Sequence, residues 1–275
     1  MAISAIAASP TAQFVSGVSL VEVYATVIDA SGQPVDGLTR DDFIVEEDGV
    51  RQSIDAFTAG NFPLSLAIAV DRSFSMSQTR LTQAVFAVQR LLGELRADDK
   101  VTVLAIGSDV ETPSPLSVDH RAAYDAIAGL QPWGTTPLFD ATVSAIGAIQ
   151  NASGRRALIL ITDGADRYSA STAADMVAFA RRHDVLVYPV ALRRPAPPVL
   201  AELASVTGAR SMAVTDAQLS PTLTSIANEL RHQYLLGYAP RQPADGVHDA
   251  WRAIRVSVAR DGVRVRARDG YYAMR

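Results

Sequence analysis

From Pro63 to about Arg231 the apolar residues gather into runs of five to eight, separated by stretches with helical spacing. The runs are LSLAIAV at 64–70, VTVLAIG at 101–107, RALILIT at 156–162, VLVYPVAL at 185–192 and RSMAV at 210–214. Such continuous runs suit strands buried on both faces, which is how parallel strands occur in a sheet covered by helices. Between the first two runs Leu81, Ala84, Val85, Val88, Leu91, Leu92 and Leu95 recur at i, i+3, i+4 and i+7, one apolar stripe along a helix. Weaker stripes cover about 119–130, 137–151, 171–183, 198–207 and 217–232. The segment SDVETPSPLSVD after Gly107 is proline-interrupted and too polar for a central strand, so it reads as an edge strand or loop. This alternation predicts an α/β fold: a doubly wound, mostly parallel sheet with helices on both faces.

The period changes at both ends. From Ser16 to about Ala59 apolar and polar positions alternate, with Val21, Val23, Ala25 and Val27 on one face and Glu22, Tyr24 and Thr26 on the other. Turn chemistry in ASGQPVDG follows, and then FIVEEDGVRQSI carries Asp48-Gly49 between two β-prone runs, a hairpin signal. About three antiparallel strands are expected there. Strand texture returns after Arg231 with QYLLGYAP and then WRAIRVSVARDGVRVRARDGYYA. In the latter a hairpin is expected around Asp261-Gly262, with Val263 and Val265 matching Ile254, Val256 and Val258 across the turn. Arg264, Arg266 and Arg268 fall on alternate positions and read as a solvated strand face, a basic groove being the alternative. Because the two ends of a domain commonly lie together, the outer segments are expected to form one small antiparallel β unit.

These textures divide the chain into 1–15, 16–60 and 233–275 as the strands of the accessory β unit with a leading tail, and 61–232 as the α/β domain. In the tail, MAISAIAASPTAQ places Ala-x-Ala at Ala5 to Ala7 after a short apolar run. It resembles the cleavage end of a secretory signal without its basic start, and a disordered tail is the other reading.

Composition narrows the function classes. The net charge is −4 and Lys100 is the only lysine, so no overall basic field points to nucleic acid or an anionic membrane. There is no cysteine, which removes disulfides, thiol catalysis and cysteine-based zinc sites. His120, His183, His232 and His248 lie far apart without metal-ligand spacing and read as surface or cap residues. No stretch approaches the roughly 18 continuous apolar residues of a membrane-spanning helix.

Candidate chemistry sits where two strands end. In a doubly wound sheet the functional crevice lies at the carboxyl ends of the strands. Asp71 closes the first run and Asp163 closes LILITDG, so both carboxylates project toward that edge. Two converging carboxylates repel, and a shared proton, an arginine or a cation must relieve them. The spacing Asp71-x-Ser73-x-Ser75 can turn two hydroxyls toward the point that Asp71 faces, and oxygen-only ligands suit a hard ion such as magnesium. Ser77 continues the alternation but is better placed as the cap of a helix starting near Gln78. A third segment, PWGTTPLFDA, puts Gly134, Thr135 and Thr136 in a loop before a helix beginning at Pro137.

Asp-x-Ser-x-Ser after the first sheet strand, a threonine after glycine before a helix start, and Thr-Asp-Gly after a later strand resemble the metal-ion-dependent adhesion site of von Willebrand factor type A domains. The resemblance spans about 61–232, and the flanking strands look like the bacterial subfamily in which this domain is wrapped by N- and C-terminal strands. It implies that Asp71, Ser73, Ser75, Thr136 and Asp163 hold a divalent ion, magnesium first, with manganese and calcium as alternatives. It further implies a non-enzymatic adhesion-type module, exported to the periplasm or beyond, in which an Asp or Glu of an unidentified protein partner completes the coordination. One departure is visible: Thr135 stands at the second glycine of the family's Gly-Gly-Thr, which puts the loop conformation in question. A magnesium-dependent phosphoryl-transfer hydrolase with Asp71 as nucleophile is the competing class, but the position for its proton donor is Ser73 and Arg72 is placed to point away. A domain merely stabilised by its metal is the third. The last helix, about 217–232, runs directly into the strand that starts at Gln233, so an event at the site could reach the β unit through one covalent connection.

Overall fold

The computed structural model describes residues 20–60, 62–164, 166–240 and 250–273. The expectations for the first 15 residues, and for His248, lie outside that set. The described residues form fourteen strands and six α-helices. The strands are β1 (Val21–Ile28), β2 (Phe43–Glu47), β3 (Val50–Gln52), β4 (Ala56–Ala59), β5 (Leu64–Asp71), β6 (Lys100–Ile106), β7 (Val110–Ser117), β8 (Arg155–Thr162), β9 (Leu186–Ala191), β10 (Met212–Ala213), β11 (Tyr234–Tyr238), β12 (Trp251–Val258), β13 (Arg264–Arg266) and β14 (Gly270–Tyr272). The helices are α1 (Gln78–Glu94), α2 (His120–Ala128), α3 (Leu138–Ile149), α4 (Ala173–Arg182), α5 (Pro198–Thr207) and α6 (Leu219–Arg231).

The central sheet has the order β10-β9-β8-β5-β6-β7, parallel throughout except for β7, which runs antiparallel along the edge beside β6. The proline-rich segment is thus an edge strand, where a missing N–H costs no ladder bond. Every residue of β5 is buried, because both faces are covered. Leu66, Ile68 and Val70 pack with α1, α2 and α6, whereas Ala67 and Ala69 pack with α3, α4 and α5. The chain leaves β5 toward β6 on one side and later returns to β8 on the other, so the topological switch lies between β5 and β8. Val70 pairs with Ile161, which brings Asp71 alongside Thr162 and Asp163 at the carboxyl edge. That crevice is where open α/β sheets place their sites.

The outer segments form two four-stranded antiparallel sheets, β13-β1-β11-β4 and β14-β12-β2-β3, which share a core including Val23, Val45, Leu236 and Ile254. Asp48-Gly49 closes the β2–β3 hairpin, both residues at positive φ (49° and 77°) as a two-residue turn requires. The expected hairpin around Asp261-Gly262 does not form. β12 is already flanked by β2 and β14, so the chain turns at Gly262 into the facing sheet, where β13 pairs with β1. Alternation correctly put Val256, Val258, Val263 and Val265 against the core but did not say which strand would lie beside which.

The arginines of this turn are not a solvated face. Arg266 and Arg268 reach the α/β unit, with Arg266 Nη2 2.7 Å from Glu229 on α6 and Arg268 Nη1 3.5 Å from Asp184. Arg264 alone of the three stays exposed.

Candidate metal centre

Asp71 is fully buried, and its two oxygens are used differently. Oδ1 accepts the Ser73 N–H at 2.9 Å, which bends the chain out of β5, while Oδ2 accepts the Thr162 hydroxyl from β8 at 2.9 Å. Thr162 in turn accepts the Gly164 N–H at 2.9 Å, so one hydroxyl fixes both the carboxylate and the loop after Asp163. Burial lifts the Asp71 carboxyl above the usual carboxylate range; the hydrogen bonds from Ser73 and Thr162 pull it down, and the nearby Asp163 charge pushes it up again. No arginine, lysine or histidine pairs with Asp71 among the described residues.

Beyond Asp71 the loop is anchored by Met76, which is fully buried and donates its N–H to the Ser73 carbonyl at 2.9 Å. Ser73 is buried and Ser75 more exposed, and their hydroxyl oxygens lie 2.9 Å apart. Ser77 accepts from the Arg80 N–H as the cap of α1, as its position in the sequence suggests.

The 133–136 loop is tied to both acid-bearing loops through its backbone. Trp133 N–H donates to the Arg72 carbonyl at 2.7 Å, Phe74 N–H to the Gly134 carbonyl at 3.1 Å, and Arg167 N–H to the Thr136 carbonyl at 2.7 Å. Gly134 cannot be replaced freely: its φ is +79° and a Cβ there would stand 2.2 Å from the Ser108 nitrogen. Thr135 is not at positive φ, so the departure from two glycines leaves the backbone unstrained at that residue. Thr136 is buried just before α3, although no hydrogen bond joins its hydroxyl to the other four candidates among the described residues. The first turn of α3 is held by the loop after Asp163: Asp166 accepts the Phe139 N–H at 3.2 Å, and Asp140 accepts the Ala170 and Ser171 N–H groups at 2.7 and 2.9 Å.

The five sequence candidates therefore lie on three loops stitched together at one edge. Ser73 and Ser75 are in mutual contact, and Asp163 stands close enough to Asp71 to disfavour its charge. Thr162 was not among the candidates, although it ends an otherwise apolar run with a hydroxyl next to Asp163. Arg72 turns away as expected, its guanidinium 2.7 Å from Glu111 and stacked over Trp133. Among the described residues there is no group of three or more His, Cys, Asp or Glu able to hold a metal, so an ion here would depend on hydroxyl ligands.

Comparisons with known proteins agree with this architecture. The structure of an aerotolerance-related membrane protein from Bacteroides fragilis superimposes with a TM-score of 0.51 at 20% identity, over 61% of this chain and 98% of that one. A von Willebrand factor type A protein from Catenulispora acidiphila gives 0.56 at 12% identity over 96% of this chain and 76% of that one, so the likeness there extends to the outer strands. Proximal thread matrix protein 1 from the mussel byssus, in a form with zinc in its metal-ion-dependent adhesion site motif, gives 0.51 at 14% identity over 63% of this chain and 50% of that one. No curated protein sequence matches the chain significantly. Residues 66–165 match the family model of the von Willebrand factor type A domain, and the sheet order, the switch point and these folds agree with that match.

Proposed function

We propose that the chain is a divalent-metal-dependent protein-binding module. Asp71 and Asp163 would balance the charge of the ion, and Ser73, Ser75 and Thr136 would supply neutral oxygens. Magnesium is the first choice, with manganese or calcium also suited to an all-oxygen set. The observation that carries this reading is Asp71 itself: a fully buried carboxylate with no cationic partner among the described residues and a second acid beside it. Such a group is costly unless a cation or a proton compensates it. When bound, the ion supplies an electrophilic centre for one further anionic oxygen, here an Asp or Glu carboxylate of a partner protein.

Within this reading the chain's own residues orient and hold. Thr162 fixes Asp71, and Gly134 lets the Thr136 loop approach the sheet edge. No enzymatic role is assigned, because Arg72 is engaged by Glu111 rather than free to clamp a phosphate. The domain is taken as 61–232 with the outer strands as an accessory unit, and an exported bacterial protein is the corresponding location, checked by cell fractionation. No described helix is long and apolar enough to cross a membrane. The function is tested by capture from envelope or medium fractions on immobilised protein. Capture should be lost with chelator and with Thr136→Ala; capture unaffected by both would leave the metal, if bound, a structural role only.

A further inference from the structure

Three of the exposed aromatic side chains belong to the loops that carry the candidate ligands. Phe74, between Ser73 and Ser75, is 72% exposed; Tyr168, five residues after Asp163, is 82% exposed; Trp133, three residues before Thr136, is 38% exposed. The backbone bonds from Phe74 to Gly134 and from Arg167 to Thr136 hold these loops against one another, so the three residues stand at the same edge of the sheet, the Trp133 ring packed against Gly107 and Arg72. Tyr168 also sits at φ +71°, a region that bulky residues rarely occupy and that recurs at functional loops. Isolated exposed apolar residues need no explanation, but three rings grouped at one sheet edge mark an interaction surface.

Charge adds a second constraint. Arg167 and Arg193 are exposed and have no carboxylate partner among the described residues, and the Arg193 side chain lies beside Gly164. Asp166 and Asp140, on the neighbouring segments, are occupied by backbone N–H groups of α3 and of the following loop. Asp109 is exposed in the turn between β6 and β7. The side of the rim formed by Arg167, Tyr168 and Arg193 is therefore basic and aromatic together, a composition enriched where proteins bind proteins.

We propose that this rim makes the site selective for a partner segment in which the acidic residue is flanked by apolar residues, the exposed rings of Phe74 and Tyr168 covering those neighbours. The inference rests on the preceding reading that a metal at Asp71 takes a partner carboxylate. It is separable from it, because the rim acts on the neighbours of the acid and not on the ion.

The test uses two capped pentapeptides as probes, Gly-Gly-Glu-Gly-Gly and Gly-Leu-Glu-Leu-Gly, titrated calorimetrically into the full chain in saturating manganese. The leucine-flanked peptide should bind at least tenfold more tightly, and Phe74→Ser and Tyr168→Ser should reduce that advantage while manganese alone binds both variants as it binds the wild type. Equal affinity for the two peptides, or an advantage unchanged in both variants, would overturn the rim with the metal site intact. Failure of manganese to bind, or of either peptide to bind in its presence, would overturn the metal reading and the rim with it.

Discussion

Among the buried carboxylates of the described residues, Glu229 and Asp71 lie under opposite conditions. Glu229, on the last helix of the α/β unit, is 4% exposed and accepts the Tyr188 hydroxyl at 2.9 Å, with Arg210 Nε at 2.9 Å and Arg266 Nη2 at 2.7 Å. Burial and the Glu229 charge push the Tyr188 hydroxyl well above its ordinary pKa, so the phenol stays a donor. Asp71 is as deeply buried, but it meets one backbone N–H, one hydroxyl and another acid. The seam between the α/β unit and the outer strands carries its own counter-ions, whereas no lysine, arginine or histidine pairs with Asp71 among the described residues. Glu47 and Asp99 are also buried without an ion pair, so the signal at Asp71 is the missing counter-charge together with the second acid, Asp163, beside it.

Removing the satisfied acid has the largest expected effect. Glu229→Ala leaves Arg210 and Arg266 without their shared carboxylate, and a broken buried pair costs about 3–5 kcal/mol. Urea denaturation should register that loss equally with and without magnesium. A metal-dependent loss at Glu229 would mean that the seam and the site are not independent.

Asp71 should behave in the reverse manner. An ion at a hundredfold excess over its Kd stabilises a fold by about 2.7 kcal/mol if it binds the native state alone. Thermal melts of the wild type should rise with magnesium or manganese, and those of Asp71→Ala should not. Equal rises would place the ion elsewhere.

Thr162→Val sharpens the role of the hydroxyl that orients Asp71. Groups that orient metal ligands typically change affinity tenfold to a hundredfold when lost. Manganese affinity should fall within that range, while the fold, losing one net hydrogen bond and leaving the Gly164 N–H without its acceptor, weakens by about 1–3 kcal/mol. Unchanged affinity would make Thr162 a structural cap only.

The smallest effect is expected at Thr135→Gly, which restores the family's second glycine. Because Thr135 is not at positive φ, glycine relieves nothing and lowers stability by about 0.4–1 kcal/mol through the unfolded chain. Metal affinity should not move; a gain would show that the threonine strains the loop.

Much of this was legible because burial on both faces writes a strand as an unbroken apolar run. LSLAIAV and RALILIT could then be seen to stop at Asp71 and just before Asp163, and strand ends at a switch point converge. The cap at Ser77 was legible for the same reason, since a hydroxyl directly before an apolar helical stripe has one local use. Thr162 was missed because a threonine at a strand end satisfies β-propensity and asks for no further role. The outer strands show a different limit. Alternation at Val256, Val258, Val263 and Val265 fixed which side chains are inside but could not distinguish a hairpin from a turn between two facing sheets. Arg266 and Arg268 were misread with it, because their partners Glu229 and Asp184 are brought near only by the packing of the two units.

Asp71 is a fully buried carboxylate beside a second acid and without a cationic partner among the described residues, and a divalent ion is the proposed compensation. Calorimetric titration of manganese into the metal-free wild type and into Asp71→Asn, which keeps the shape of the side chain and removes its charge, tests it most directly. One ion bound per wild-type chain and none by the asparagine variant is the expected result. An identical isotherm for the two proteins, or no binding to the wild type, would contradict it.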